Sequence, residues 1–325
     1  VGQSRAGACR TWLNMLHRLG ASLTPALRDP HARWAEWVRK YELTTGARWL
    51  LWWVAYLVQQ PKQRLPIIAF VGGRDVGKST FADALQKLWD KEGTSDAGEL
   101  LRTRSQFTGN MAQSVLARIE DCDISKKDQL LRLTPWVTSP RLLCEHKGLQ
   151  AYHLDNQVHF IVESNDPKDI PIHDKDCRFV VIEVAPLGTA KDVEFSDKLD
   201  REAAAFLHLA LSVKLPPDED RFGRLALPDV ATDIKEDIAD SNRTVAEIFA
   251  GECLEQVEND EFVSNQALYE RFRSWCIDTC HTANCDTPQD LVKELSGWFT
   301  GRGIAAGKQY VNKTQHRGRK GIRLK

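Results

Sequence analysis

No apolar run in the 325-residue sequence is longer than the ten residues from Trp49 to Val58. A helix that spans a bilayer needs about 20, so this run reads as a buried core helix and no membrane is expected as a partner. Net charge is nearly absent as well, with 44 Lys and Arg against 45 Asp and Glu. No global field therefore draws the chain onto nucleic acid. The eight cysteines (Cys9, Cys122, Cys144, Cys177, Cys253, Cys276, Cys280 and Cys285) follow no regular spacing, and no signal peptide precedes them. Reduced thiols in a cytoplasmic compartment are the expectation. Internal repeats and low-complexity segments are missing. Hydrophobic residues make up 42% and charged residues 27%, which excludes wholesale disorder, a collagen-like fibre and a disulfide-dense mini-protein. The first residue is Val rather than Met, which fits a piece of a larger parent.

The charge that is present is segregated. Residues 218–261 hold 14 acids against four Lys and Arg, while residues 295–325 hold eight Lys and Arg and no acid. A basic binding face near the C-terminus follows from that asymmetry. The length suggests two or three structural units. Residues 1–60 read as a helical region. Asp29-Pro30 starts one helix, a second starts near Thr45, and Pro61 ends it. Trp34, Trp37, Trp49, Trp52 and Trp53 recur at helical spacing and read as core. Residues 61–195 alternate short apolar runs with helical stretches, the pattern of an α/β layer with a mainly parallel sheet. Residues 196–240 read as a helical and acidic connector. Residues 241–325 read as three helices (Thr244–Cys253, Asn265–Cys276, Pro288–Phe299) followed by strands at Gln309–Val311 and Gly321–Leu324 around a basic turn.

The strongest chemical signal is Gly72-Gly73-Arg74-Asp75-Val76-Gly77-Lys78-Ser79-Thr80. It follows the apolar run Ile67–Val71 and precedes a helical segment, which is the setting that a phosphate-binding P-loop requires. Glycines let the backbone N–H groups curl close to phosphates. Lys78 places a cation on the β- and γ-phosphates, and Ser79 offers a hydroxyl to Mg²⁺. ATP and Mg²⁺ are the ligands expected.

Such a site also needs an acid at the end of a neighbouring strand. Val115–Ile119 closes on Glu120-Asp121. Adjacent strand side chains face opposite ways, so we assign Asp121 to the metal shell and Glu120 to the attacking water. Surface acids at a strand end are the competing reading. The strand Phe160–Val162 leads to Asn165, placed to sense the γ-phosphate or the water. Arg178, ahead of another strand, is placed to stabilise transition-state charge at a neighbouring subunit's nucleotide, although an arginine alone is more often a surface ion pair. Lys147-Gly148, with His146 before it, sits at the tip of an expected hairpin and suits contact with a phosphate backbone.

The order of these pieces resembles superfamily 3 helicases, and looks most like the helicase domain of phage, plasmid and poxvirus-type primase-helicases. Gly72–Thr80 matches motif A, Val115–Asp121 motif B, Lys147-Gly148 the B′ hairpin, Phe160–Asn165 motif C and Asp176–Phe179 the arginine-finger segment. The resemblance covers about residues 45–190. It implies an AAA+-type ATPase that assembles into a ring, commonly a hexamer, moves on single-stranded or forked DNA, and often follows a primase-polymerase domain. Lys78, Glu120, Asp121, Asn165 and Arg178 are then the catalytic set, and His146 and Lys147 line the channel.

The C-terminal unit reads as a winged-helix-like DNA-binding module. Gln289 and Lys293 would be exposed on its recognition helix, and Arg317, Arg319 and Lys320 would sit in its wing. Cys276, Cys280, His281 and Cys285 depart from the usual spacing of structural zinc sites and read as thiols. Two other functions fit the same motifs: a replication initiator or loader that binds DNA without unwinding it, and a small-molecule kinase that would need an acceptor pocket.

Overall fold

The structure is a computed structural model. It describes residues 8–325 apart from 90–92, 104–107, 121–122, 125–126, 173–175, 187–193, 218–224, 259–260, 283–284 and 312–313. The chain divides into two compact units, with the division after Ser241. Among the described residues no helix is long and apolar enough to cross a membrane.

The first unit opens with four helices, α1 (Arg10–Leu19), α2 (Thr24–Arg28), α3 (Ala32–Lys40) and α4 (Gly46–Gln59). Thr45 caps α4 by accepting from the Arg48 amide. There follow β1 (Ile67–Val71), α5 (Lys78–Gln86), β2 (Thr94–Asp96), α6 (Ala97–Thr103), α7 (Gly109–Gln113), β3 (Leu116–Glu120), α8 (Lys127–Thr138), β4 (Arg141–Cys144), β5 (Tyr152–Asp155), β6 (His159–Ser164) and β7 (Phe179–Glu183). Helices α9 (Phe195–Ser212) and α10 (Asp233–Ser241) complete the unit.

Five strands form one sheet in the order β2-β3-β6-β1-β7. Every pairing in it is parallel. A parallel sheet is covered on both faces, so its central strands are apolar throughout. All five residues of β1 are buried. Alternation then sorts the side chains. Ile68, Phe70, Leu116, Ile161, Val180 and Ile182 join α1, α4, α5 and α9 in one core. Ile67, Ala69, Ala117, Ile119, Phe160, Val162 and Val181 join α6, α7, α8 and α10 in another. The tryptophans of α1, α3 and α4 belong to the first core, and Trp12, Trp49 and Trp53 have no exposed surface.

The described residues of 196–240 pack as part of this unit rather than as a connector. Leu199, Phe206 and Ala210 of α9 and then Leu227 and Val230 are buried in the first core, and Ile238 of α10 is buried in the second. The Trp49 indole donates to the Pro228 carbonyl at 3.2 Å, and the Trp34 indole donates to Asp229 at 2.8 Å. Acidic composition hid this packing, because α9 buries only one stripe of an otherwise polar surface. Strand β2 was not expected either; it is a three-residue polar edge, Thr-Ser-Asp.

The second unit contains α11 (Val245–Cys253), β8 (Leu254–Gln256), β9 (Phe262–Ser264), α12 (Asn265–Asp278), α13 (Pro288–Glu294), α14 (Ser296–Gly301), β10 (Ala306–Val311), β11 (Thr314–Lys320) and β12 (Ile322–Leu324). Capping boxes start α11 at Thr244 with Glu247 and α13 at Thr287 with Asp290. Phe249, Phe272, Trp275, Leu291 and Phe299 fill its core. Two expectations are corrected. The helix expected over Pro288–Phe299 is two helices, broken at Leu295, where φ is −80° and ψ is 2°. Gly297 just beyond is a poor helix former. The basic hairpin is β10–β11, with β9 beside β11, while β12 pairs with β8. Gly307 and Gly318 face each other across the hairpin. Gly318 permits close approach, since a Cβ there would lie 2.1 Å from the Val263 carbonyl oxygen.

Candidate functional site

The C-terminal end of the sheet gathers most of the predicted site. Leaving β1, the chain enters the loop at Gly72, where a Cβ would sit 2.7 Å from the Val184 carbonyl oxygen. Asp75 and Gly77 take positive φ values of 59° and 89°. Gly does so freely, and Asp tolerates it better than most residues. Val76 is buried and anchors the loop, while Gly73, Arg74 and Asp75 are exposed. Helix α5 begins at Lys78, so Lys78, Ser79 and Thr80 occupy its first turn. Amides there lack helical partners and the helix dipole adds positive potential, which suits an anion. A polyphosphate fits this loop, and Ser79 is exposed beside it.

Lys78 reaches across to the next strand. Its Nζ donates to the carbonyls of Gly72 at 2.8 Å and Gly73 at 2.6 Å, and to Asn165 Oδ1 at 2.7 Å. Asn165 follows β6 directly, and β6 lies beside β1, so the two residues meet at adjacent strand ends.

Glu120 ends β3, and the parallel register puts it next to Glu163 of β6. Two carboxylates side by side repel, and Arg118 lies between them. It pairs with Glu120, with Glu163 at 3.0 Å and with Asp83 of α5 at 2.6 Å. Arg118 and Glu163 are almost wholly buried, with 12% and 4% of their side chains exposed, while Glu120 is 46% exposed. Burial pushes the Glu120 carboxyl above its ordinary range; Arg118 opposes the rise, and Glu163, Asp83 and Asp96 add to it. A cavity of about 520 Å³ adjoins this cluster, lined among others by Asp96, Arg102, Arg118 and Glu120. The sequence reading gave Arg118, Glu163 and Asp83 no role. The available signal was alternation: Arg118 and Glu163 each stand two residues before a predicted site residue, on the same face of an extended chain. Asp121 lies outside the described residues.

Arg178 is not part of this group. It precedes β7, where its carbonyl accepts from the Ile67 amide at the start of β1. Five strand residues at about 3.3 Å each separate that end from the loop, roughly 16 Å. Its guanidinium forks onto Asp176, with Nη2 2.6 Å from Oδ2, and donates from Nη1 to Thr134 at 2.8 Å. The hydrogen bond that Arg178 donates to Asp176 holds the Arg178 pKa above its ordinary value.

Strands β4 and β5 form the expected antiparallel hairpin. Lys147 and Gly148 are exposed at its tip, where Gly148 has a φ of 78°. His146 is held at the base. Its Nε2 is 3.5 Å from Cys144 Sγ, its ring stacks on Tyr152, and it packs so closely on Gly109 that a Cβ there would be 2.1 Å away.

In the second unit Gln289, Lys293, Arg317 and Lys320 are exposed. Lys308 and Arg317 are direct cross-strand partners. Arg319 differs, since its guanidinium lies over the Phe299 ring at 4.6 Å and its Nε is buried without a partner. Cys276 and Cys285 are buried and Cys280 is exposed. His281 stacks on Trp275 at 4.8 Å. Among the described residues no group of three or more His, Cys, Asp or Glu could hold a metal ion.

Residues 70–178 match the model of a family of unknown function, DUF5906. That interval contains the loop, Glu120, Asp121, Asn165 and Arg178. A DNA primase-polymerase of Nitratiruptor phage NrS-1 is 26% identical over 135 residues, which is 40% of this chain and 19% of that protein. The chain thus matches about a fifth of that relative's length. Two apo structures of the NrS-1 C-terminal region share the fold, with TM-scores of 0.58 and 0.62 at 15% identity. Each comparison covers 98% of this chain and 76% of the other.

Proposed function

We propose that the chain is the ATP-driven motor of a phage-type DNA replication protein, a P-loop ATPase of the AAA+ superfamily 3 kind that translocates on DNA and unwinds it. The carrying observation is the reach of Lys78 from the glycine-rich loop to Asn165 at the end of the adjacent parallel strand. This cation sits where a bound γ-phosphate would meet a polar reporter from the next strand. The similarity to a phage DNA primase-polymerase supports a replication setting.

In this reading the loop amides and Lys78 bind the ATP phosphates. Ser79 and Asp121 would hold Mg²⁺, which when bound neutralises charge on the phosphate oxygens. Glu120 orients the attacking water. For that it must exchange its pairing with Arg118 for one with the water, and its raised pKa makes it a better proton acceptor. Arg178 is too far from the loop of its own chain to act there, so we assign it to the nucleotide of a neighbouring subunit in a ring, commonly a hexamer. Lys147 contacts DNA from the hairpin tip. His146 holds that tip rather than touching DNA. The second unit is a winged-helix-type DNA binder that uses Lys293, Arg317 and Lys320. Arg319 is committed to Phe299.

The test is ATP turnover with and without single-stranded DNA across protein concentration. Stimulation by DNA with a sharp concentration dependence is expected. The cavity beside Glu120 favours one other reading, a small-molecule kinase with its acceptor there. Turnover that ignores DNA and is linear in protein would favour the kinase.

A further inference from the structure

Helix α1 ends beside the glycine-rich loop, although 58 residues separate Arg18 from Val76. Arg18 Nη2 donates to the Val76 carbonyl at 2.6 Å, and the same nitrogen lies 3.4 Å from the carbonyl of Ala185, just past β7. One guanidinium thus ties the loop to the exit of the neighbouring strand. A peptide group is planar and trans, so the Val76 C=O and the Gly77 N–H point in opposite directions. Holding the carbonyl toward α1 turns the Gly77 N–H away from it. Gly77 is the last residue before α5, so this amide is among those a phosphate would meet.

Arg18 is itself firmly placed. Two residues later, Gly20 packs backbone to backbone on Gly46. A Cβ on Gly20 would lie 2.3 Å from the Gly46 carbonyl carbon, and one on Gly46 would lie 1.8 Å from the Gly20 oxygen. At the other end of α1, the Thr11 amide donates to Glu202 at 2.8 Å and the Trp12 indole donates to the Leu199 carbonyl at 2.9 Å. Both ends of α1 are therefore fixed, one to the start of α4 and the other to α9.

We propose that Arg18 is a positioning residue of the phosphate loop: it fixes the Val76–Gly77 peptide with its N–H turned to receive a nucleotide phosphate. The N-terminal helices, which lie outside residues 70–178, then form part of the nucleotide site. This rests on the nucleotide reading of the loop.

The test uses the full chain and two variants. Arg18→Ala is expected to weaken ATP binding about tenfold, as loss of one charged hydrogen bond implies. The loss should fall on KM rather than kcat. Arg18→Lys should restore most of the affinity, since an ammonium can still donate to the Val76 carbonyl. Without nucleotide, hydrogen exchange of the amides in 73–77 should be faster in Arg18→Ala than in the wild type. Unchanged exchange together with unchanged ATP affinity would overturn the proposal. So would KM and kcat worsening together with no rescue by lysine, which is what general destabilisation produces. If the wild-type chain binds no ATP, the nucleotide reading itself fails, and unchanged loop exchange in Arg18→Ala would then also remove the brace.

Discussion

At the N-terminal end of the parallel strands, His159 is fully enclosed and hydrogen-bonds the Pro61 carbonyl through Nε2 at 2.8 Å. Beside it, Arg64 bonds the Asn156 carbonyl, the Asn156 amide donates to Trp136 and Ser139, and Arg178 forks onto Asp176. At the C-terminal end, Lys78 holds two loop carbonyls and an exposed asparagine, and Glu120 keeps nearly half its surface open to solvent. The same strands carry both sets. At one end the polar groups are spent on neighbours within the fold. At the other, Lys78, Asn165 and Glu120 keep contact with solvent, while Arg118 and Glu163 are buried. Substitutions at the first end should therefore cost stability, and those at the second should cost turnover.

The sharpest way to break that contrast is Lys78→Ala. We expect a loss of about 10²-fold or more in ATP turnover, the scale of losing one transition-state charge contact, with little change in melting temperature. A variant that melts early but turns over normally would reverse the assignment of the two ends. Arg178→Ala comes next. It strands the Asp176 carboxylate, whose side chain is only 5% exposed, and should cost about 3 kcal/mol in denaturant unfolding. If Arg178 also acts on a neighbour's nucleotide, mixing it with Lys78→Ala will recover turnover. Stability loss with no recovery at any ratio would leave Arg178 a purely structural residue.

The effect at His159 appears only as the pH is lowered. Burial, with the nearby Arg64 charge adding to it, lowers its pKa to about 3. The unfolded chain takes up a proton near pH 6.5 that the folded chain refuses until about pH 3. This contribution to stability is therefore whole above the unfolded pKa and is lost as pH falls toward 3, by up to about 1.4 kcal/mol per pH unit. His159→Gln keeps a donor for Pro61 and removes the proton site, so its unfolding free energy should fall less steeply between pH 6.5 and 4.5. Equal slopes for the two proteins would assign the acid sensitivity to other groups.

What could be read from the sequence followed from how local each signal was. Strand β1, the loop and the start of α5 were legible because a doubly covered strand is a short apolar run and close phosphate approach needs glycine. The helix starts of the second unit are equally local: helices were expected from Thr244 and Pro288, and α11 and α13 begin at Val245 and Pro288. Arg118, Asp83 and Glu163 were not legible, since they converge only once register sets Glu120 beside Glu163. Arg18 lay further out of reach, because nothing near it in the chain announces a loop 58 residues away. The hairpin of the second unit was misplaced because strands were expected in the more apolar stretches Gln309–Val311 and Gly321–Leu324, whereas β11 is the polar, basic segment Thr314–Lys320.

The docking of α1 on α9 has a consequence for how the chain is made. The Trp12 ring stacks on Phe206 at 4.1 Å, and Thr11 waits for Glu202, which lies 191 residues further on. At about 5–20 residues per second, translation separates those partners by roughly 10–40 s. For that interval the part of the α1 stripe that α9 covers has no partner, although α4 has already been made. Folding of the first unit is gated by the arrival of α9, and chaperone demand should be greatest just before it emerges.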